Sequence, residues 1–246
     1  MSDTVEQAES DLPFLRRYAR AVTGTQPVGD ALADNAFRAV AAAPNARIDR
    51  LNLFAALDTR LKAWPGHENA PVEQHLASDT RRAILLTALE GFTPAEAAHI
   101  MRKGEAEFAE LLNTGDTPQT VRPHRVFIIE DEPLVSAHIA QIVRDMGHTV
   151  MGSAASGETA IAACHRRPPD LLLADVMLAD GLTGINTVEK ICLAQNLPVV
   201  FITAYAQRLL RGHHGEPAYL IEKPFTPDAV EAVISQVQIR HADLPQ

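Results

Sequence analysis

A chain of 246 residues, 46% of them hydrophobic, can bury a sizeable core as one large domain or two ordinary ones. The net charge of −9 is spread along it, 12 Lys/Arg against 17 Asp/Glu (net −5) in residues 1–121 and 10 against 14 (net −4) in residues 122–246, so neither half has the basic charge that phosphate backbones attract. Cys164 and Cys192 form no C-x-x-C pair, the first residues MSDTVEQAESDL are acidic, and no apolar run approaches the roughly 18 residues of a membrane helix; these features argue against a disulfide framework, a thiolate zinc site, secretion and membrane spanning, and fit a reducing cytoplasm.

Residues 1–112 read as helices almost throughout. In DLPFLRRYARAVTG, Leu12, Leu15, Ala19 and Val22 recur at steps of three and four, with Asp11 as an N-cap and Gly24 as a stop. A second helix is expected over about 28–43, with Leu32, Ala36, Phe37 and Val40 on one stripe, and a third with Ile48, Leu51, Phe54, Leu61 and Trp64 inward. PGHENAPVEQHLA then breaks the pattern with two prolines and a glycine, and Ser78 is placed to cap DTRRAILLTALE, which Gly91 closes. Thr93, Pro94 and Glu96 form a T-x-x-E capping box with proline at the first helical position, and the helix they start is expected to stop near Met101. Gly104 releases the chain into a last helix bearing Glu105, Glu107 and Glu110 and no Lys or Arg. Residues 91–112 therefore have the spacing of a helix-turn-helix whose second helix would repel DNA.

A polar stretch rich in proline and glycine, NTGDTPQTVRPH, separates this helical part (1–112) from the rest, with residues 113–123 as linker and 124–241 as a second domain. There RVFII, TVMGSA, DLLLAD, PVVFIT and AYLIE are short strand-like runs, and residues 134–146, 157–166 and 184–195 between them have helical spacing. Such alternation implies βαβ units and a five-stranded parallel sheet of flavodoxin-like α/β class. The run AQRLLRGHHGEPA leaves room for only a short fourth helix, and its His213-His214 pair reads as solvated loop rather than as a metal site.

In an open parallel sheet, ligands sit at the carboxyl ends of the strands. Glu130 and Asp131 end the first strand, Asp175 the third, Thr203 the fourth, and Lys223 followed by Pro224 the fifth. Three carboxylates at one edge repel one another unless a hard divalent cation joins them, and oxygen ligands suit Mg2+. One hydroxyl and one ammonium beside them are the groups that hold the oxygens of a phosphoryl group being transferred to a carboxylate, with Asp175 as acceptor.

In this order on five strands, residues 124–240 resemble a two-component receiver domain. The resemblance implies that Glu130 and Asp131 are the acidic metal-binding pair, Asp175 the phosphoacceptor, Thr203 the switch hydroxyl, Lys223 the essential lysine and the Met177 carbonyl the backbone metal ligand. The Lys223-Pro224 bond matches a cis peptide of receivers. Where a receiver's switch aromatic usually lies, three residues before the lysine, this chain has Leu220, so Tyr219 and Tyr205 both stand as switch candidates.

In the first half, DLPFLRRYARAVTGTQPVGDALADNAFRAV looks like region 2 of an extracytoplasmic-function sigma factor, and RRAILLTALEGFTPAEAAHIM resembles region 4. The combination of an all-α sigma-like domain (about 1–64 region 2-like, 78–112 region 4-like) with a C-terminal receiver, and the run FITAYAQRLLRGHHGEPAYLIEKPF, are similar to the PhyR family of response regulators. That resemblance implies an anti-anti-sigma factor of the bacterial general stress response, non-enzymatic, in which the phosphorylated protein binds an anti-sigma factor of NepR type and frees the true sigma factor. A histidine kinase or phosphotransfer protein would be the phosphodonor. The decoy must reproduce the apolar helix faces the anti-sigma factor grips while lacking the cations that engage promoter DNA. Ile84, Leu85, Phe108, Leu111 and Leu112 are candidates for that contact or for the core. The rivals are a DNA-binding response regulator, opposed by the missing cations, and a Mg2+-dependent phosphohydrolase, opposed by the apolar Val176 and Met177, which supply no acid beside Asp175.

Overall fold

The computed structural model describes residues 2–43, 47–63, 79–114, 123–178, 183–193, 197–213 and 215–241. Trp64, Ser78, His214, the segment expected to be irregular before Ser78, and most of the expected linker lie outside the described residues. The chain divides into two compact units. One comprises residues 1–117, 207–218 and 235–246, the other residues 118–206 and 219–234.

The first unit is helical: α1 Ser2–Thr23, α2 Gln26–Ala42, α3 Arg50–Ala63, α4 Asp79–Ile84 running into a π turn Leu85–Leu89, α5 Pro94–Met101 and α6 Glu105–Thr114. Helix α1 begins well before Asp11, because its opening residues include the good helix formers Glu6, Gln7 and Ala8; Asp11 is a buried residue inside the helix rather than its cap, and Pro13 is accommodated within it. Helix α2 starts at Gln26, with Thr25 extended at its N-cap and Pro27 in its first turn, where a missing amide hydrogen does no harm. The inward stripe of α3 is Leu53, Phe54, Leu57 and Leu61; Ile48 and Leu51 are only half-buried, so the stripe is rotated from the expected one. The capping box holds as the sequence predicts: the Glu96 amide donates to Thr93 Oγ1 at 3.3 Å and the Thr93 amide to Glu96 Oε2 at 2.9 Å. Helix α5 ends at Met101, with Arg102 left-handed at φ 55.

Aromatic packing centres this unit on Phe54, whose ring lies 5.6 Å from Tyr18 and 4.8 Å from Phe92. Beside it, Glu90 is wholly buried. Arg17 Nε and Nη2 each donate to its carboxylate at 2.9 Å, and Arg50 Nη2 approaches at 3.3 Å. A second buried carboxylate, Asp58 on α3, pairs with Arg82 on α4 and with Lys62 at 2.9 Å. These polar contacts join α1 and α3 to the end of the π turn and to α4, in a core otherwise built of leucine, alanine and aromatic rings.

The second unit carries β1 Arg125–Ile129, β2 Thr149–Ala154, β3 Leu171–Ala174, β4 Val199–Thr203 and β5 Tyr219–Glu222, all parallel in the order β2-β1-β3-β4-β5. This is the flavodoxin-like order, with its switch point between β1 and β3. The three central strands are almost wholly buried, as expected of apolar runs covered on both faces. Helices α7 Pro133–Asp145, α8 Gly157–Arg166 and α9 Gly184–Cys192 make the first three crossovers, and α10 Pro227–His241 follows β5. The fourth crossover has only a 3-10 turn, Ala206–Leu209. Both cysteines are free, and burial pushes the Cys164 thiol up to about 11, leaving it in the unreactive neutral form.

Candidate functional site

At the switch point, β1 ends in Glu130 and Asp131 and β3 in Asp175. Ligand oxygens from these three residues lie within 4.8 Å of one another. The strands dictate this: β1 and β3 are paired in register, Ile129 opposite Ala174, so the next residue on each strand emerges at the same edge. Glu130 and Asp175 are buried and Asp131 half-exposed. Lys223, delivered by β5, spans the first two: its Nζ donates to Asp175 Oδ2 at 2.7 Å and to Glu130 Oε1 at 3.0 Å, with Glu132 Oε1 at 3.6 Å. The Lys223-Pro224 peptide is cis.

Burial pushes the Glu130 carboxyl up, and the neighbouring Asp175 adds to this, while Lys223 and the Glu132 amide act against it. For Lys223, burial acts downward, but the hydrogen bonds and charges of Asp175 and Glu130 outweigh it and hold the ammonium above its usual range. One ammonium thus faces more than one carboxylate. Glu130 Oε2, although 2.7 Å from Lys223 Nζ, is a buried oxygen with no hydrogen bond. Clustered hard oxygens with excess negative charge and an unused lone pair are the donor set that a hard dication fits.

Thr203 is fully buried at the end of β4, and its Oγ1 accepts from the Tyr205 amide at 3.2 Å. Tyr205 is 45% exposed whereas Tyr219 is buried at the start of β5. Met177 follows the site in the β3–α9 loop; its amide donates to Asp175 Oδ1 at 3.2 Å, and it pairs with Thr183 across that loop.

Two further residues support the site without belonging to the sequence-derived set. Glu132 completes the run EDE beside Lys223. Gly184, the first residue of α9, donates its amide to Val176 O at 2.7 Å, and a Cβ there would stand 1.7 Å from Asp175 O. Its only sequence signal was its place at the head of a helix.

In the helical unit, the candidate partner residues separate by burial. Phe108 and Leu85 are core, while Ile84, Leu111 and Leu112 are half-buried. On α6, Glu105, Glu107 and Glu110 are exposed, and Lys103, just before the helix, is drawn to Asp79 at 2.9 Å and Glu107 at 2.5 Å. The second helix of this helix-turn-helix-like pair therefore presents carboxylates outward and buries its aromatic residue. Among the described residues, no helix is long and apolar enough to cross a membrane.

Comparison with known proteins accounts for both units. Residues 126–235 match the family described as "Response regulator receiver domain", residues 8–58 the "Sigma2 domain of PhyR" and residues 74–116 "Response regulator PhyR, sigma-like domain". The chain is 36% identical to the phyllosphere-induced regulator PhyR of Methylorubrum extorquens, over 95% of this chain and 93% of that protein. The crystal structure of PhyR from Brucella abortus resembles it with a TM-score of 0.86 at 39% identity, covering 96% of this chain and 94% of that one. The anti-anti-sigma factor PhyR from Bartonella quintana gives 0.85 at 38% identity, covering 96% and 95%. The Bartonella protein has also been crystallised in complex with the anti-sigma factor NepR (TM-score 0.39, 38% identity, 94% and 97% coverage). With its sigma-like helices, its receiver sheet and this identity over nearly the whole length, the chain belongs to the PhyR family of response regulators.

Proposed function

We propose that Asp175 is the phosphoacceptor and that its phosphorylation frees the sigma-like helices to capture an anti-sigma factor of NepR type, releasing the true sigma factor. The observation that carries this reading is the convergence of Glu130, Asp131, Asp175 and Lys223 at the switch point of the sheet. A histidine kinase or phosphotransfer protein supplies the phosphoryl group. An Asp175 carboxylate oxygen attacks phosphorus, the bond from phosphorus to the donor nitrogen breaks, and the leaving imidazole takes a proton from solvent. Mg2+, held by Glu130, Asp131, Asp175 and the Met177 carbonyl, would neutralise charge on the transferring oxygens. Lys223 is already hydrogen-bonded to Asp175 and turns to a phosphoryl oxygen once that carboxylate is esterified. The Thr203 hydroxyl approaches a second oxygen, giving up the Tyr205 amide it now accepts from. Either Tyr205 or Tyr219 follows that movement, and the exposed Tyr205 has the freer path. Ile84, Leu111 and Leu112 remain the candidate partner contacts, while Leu85 and Phe108 support them from the core.

Capture is stoichiometric, so no turnover is required of the chain. The test uses full-length protein, acetyl phosphate and Mg2+. Label should enter the protein, NepR-type partner should be retained in proportion to label, and duplex DNA should not be bound at physiological salt. DNA binding that weakens steeply with salt would instead identify a transcription factor.

Gly184 supplies a second check on the site. In Gly184→Ala the new methyl must displace the Asp175 carbonyl, shifting the carboxylate that receives the phosphoryl group. Misplacement of about 1 Å can slow a reaction by about a hundredfold. Labelling from acetyl phosphate should slow by about tenfold to a hundredfold, and an unchanged time course would show that this close approach does not position Asp175.

A further inference from the structure

At the amino end of the sheet, opposite the edge that carries the carboxylates, the foot of β1 is held by a buried imidazole. His148, between α7 and β2, is only 6% exposed. The turn that delivers it is fixed: Gly147 is left-handed at φ 82, and the His148 amide donates to Val143 O at 3.1 Å. His148 Nδ1 accepts the His124 amide at 3.4 Å, and the two rings meet edge to face with centroids 5.8 Å apart. The His124 carbonyl accepts from the Thr149 amide at 2.9 Å. Both backbone groups of His124 are therefore tied to consecutive residues, one through a side chain that can change its charge.

The next residue carries a second fastening of different chemistry. The Arg125 amide and Nε donate to Asp170 Oδ2 at 2.8 and 3.0 Å, Nη2 donates to Oδ1 at 2.8 Å, and the Asp170 amide donates to Arg125 O at 2.7 Å. The hydrogen bonds from Arg125 hold the Asp170 carboxyl below its usual range against the effect of burial, so this pair stays ionised through mild acid.

A ring nitrogen that accepts a hydrogen bond carries no proton, so His148 is neutral in this arrangement, with its proton on Nε2. Protonating Nδ1 would set an N–H against the His124 N–H and place a cation in a buried position, both unfavourable. The elements that pack here bring Asp170 and Arg125, bonded to each other, Arg144 and Asp145 at the end of α7, and Arg166 and Arg167 at the end of α8, the last four exposed. Burial lowers both imidazoles below their usual range, charge on His124 lowers His148 further, and Asp170 draws His124 only part of the way back. The sign follows. Above about pH 7 both imidazoles are neutral whether the foot is closed or open, and the contact is fully present. Below about pH 6.5 the open form binds the proton more readily, so the closed form is lost as pH falls.

We propose that His148 is a pH-sensitive clasp on the foot of β1. Neutral, it accepts the His124 amide and closes the start of the strand; protonated in mild acid, it meets that amide with a second donor and lets residues 124 and 149 part. The Arg125–Asp170 pair keeps β1 in register, so the foot opens locally while the sheet holds. The clasp is independent of the phosphoacceptor assignment, since it neither touches Asp175 nor requires a phosphodonor.

The test uses the full-length protein. Histidine ring-proton NMR resonances followed through a pH titration give the midpoint of His148, and amide hydrogen exchange at His124 and Thr149, corrected for its intrinsic pH dependence, measures opening of the foot. In wild type His148 should titrate below about pH 6.5. Opening at both amides should rise about fivefold to tenfold between about pH 7.5 and 5.5, the factor that one imidazole with an ordinary value in the open form contributes. The Arg125 and Asp170 amides should change by less than about twofold over the same range, because their fastening does not titrate there. His148→Asn offers Oδ1 to the same amide but takes no proton, and should reduce the rise to about threefold or less. His124→Gln removes the neighbouring charge; it should raise the His148 midpoint while keeping part of the rise, and it stands in if the first variant does not fold. A wild-type His148 midpoint at or above about pH 6.5, exchange at His124 indifferent to pH, or an equal rise in folded His148→Asn overturns the clasp.

Discussion

Asp175→Ala should remove the phosphodonor's effect on partner capture altogether. In the wild type, coupling between a phosphorylated site and a remote binding surface is typically about 1–3 kcal/mol, or about 5–150-fold in affinity. Taking a population from almost wholly closed to almost wholly open needs more, about 5.5 kcal/mol, so partner binding supplies the remainder. The variant has no carboxylate to esterify at the end of β3. It should bind partner equally with and without acetyl phosphate, incorporate no label, and leave Lys223 paired with Glu130 and Glu132. A titration of partner against wild type and variant, each with and without donor, reads all of this. A variant that still gains affinity from the donor would move the acceptor to another side chain, and the cluster at the switch point would lose its assigned role.

The second large effect concerns stability. Glu90→Ala should lower the stability of the helical unit by about 3–5 kcal/mol, because it leaves the buried Arg17 guanidinium without its counter-charge and takes a carboxylate from Arg50 as well. For a unit of this size that corresponds to about 10 °C or more in melting temperature. The penalty comes from the uncompensated cation, so Glu90→Gln, which retains an acceptor oxygen, should fall between variant and wild type. Circular dichroism melts of the three proteins decide the matter. A Glu90→Ala transition within about 2 °C of wild type would show that water reaches Arg17 and screens it. The receiver's acceptance of label should be unaffected, since Glu90 lies in the other unit.

The sheet was the most legible part of this chain. All five strands, their parallel sense and the residues ending them could be read from apolar runs and the spacing between them, because a strand covered on both faces has little freedom in composition. The capping box at Thr93 was equally readable, since both of its hydrogen bonds are local. Where the sequence misled, tertiary contacts decided. Asp11 had the chemistry of an N-cap, but the residues before it are helix formers and the helix runs through. The stripe of α3 is rotated toward Leu53 and Leu57 because the aromatic cluster at Phe54 and the buried Asp58–Arg82 pair fix which face turns inward. Of the site, the charged members were legible from their positions after strands. Gly184 was not, because its importance lies in an oxygen from another loop that occupies the space of its missing methyl. Arg20 and Glu216 were invisible as a pair, 196 residues apart in the chain.

The separation of that pair bears on how the molecule can be dissected. A fragment stopped at the end of α6 would contain every sigma-like helix but none of residues 207–218 and 235–246 that complete the same compact unit. It would carry Arg16, Arg20 and Gln26 without their partners in residues 207–218, and Val22 O without the Gln236 amide that now donates to it. Such a truncation is a different surface rather than a smaller copy of the parent, so affinities measured on it do not transfer to the full chain.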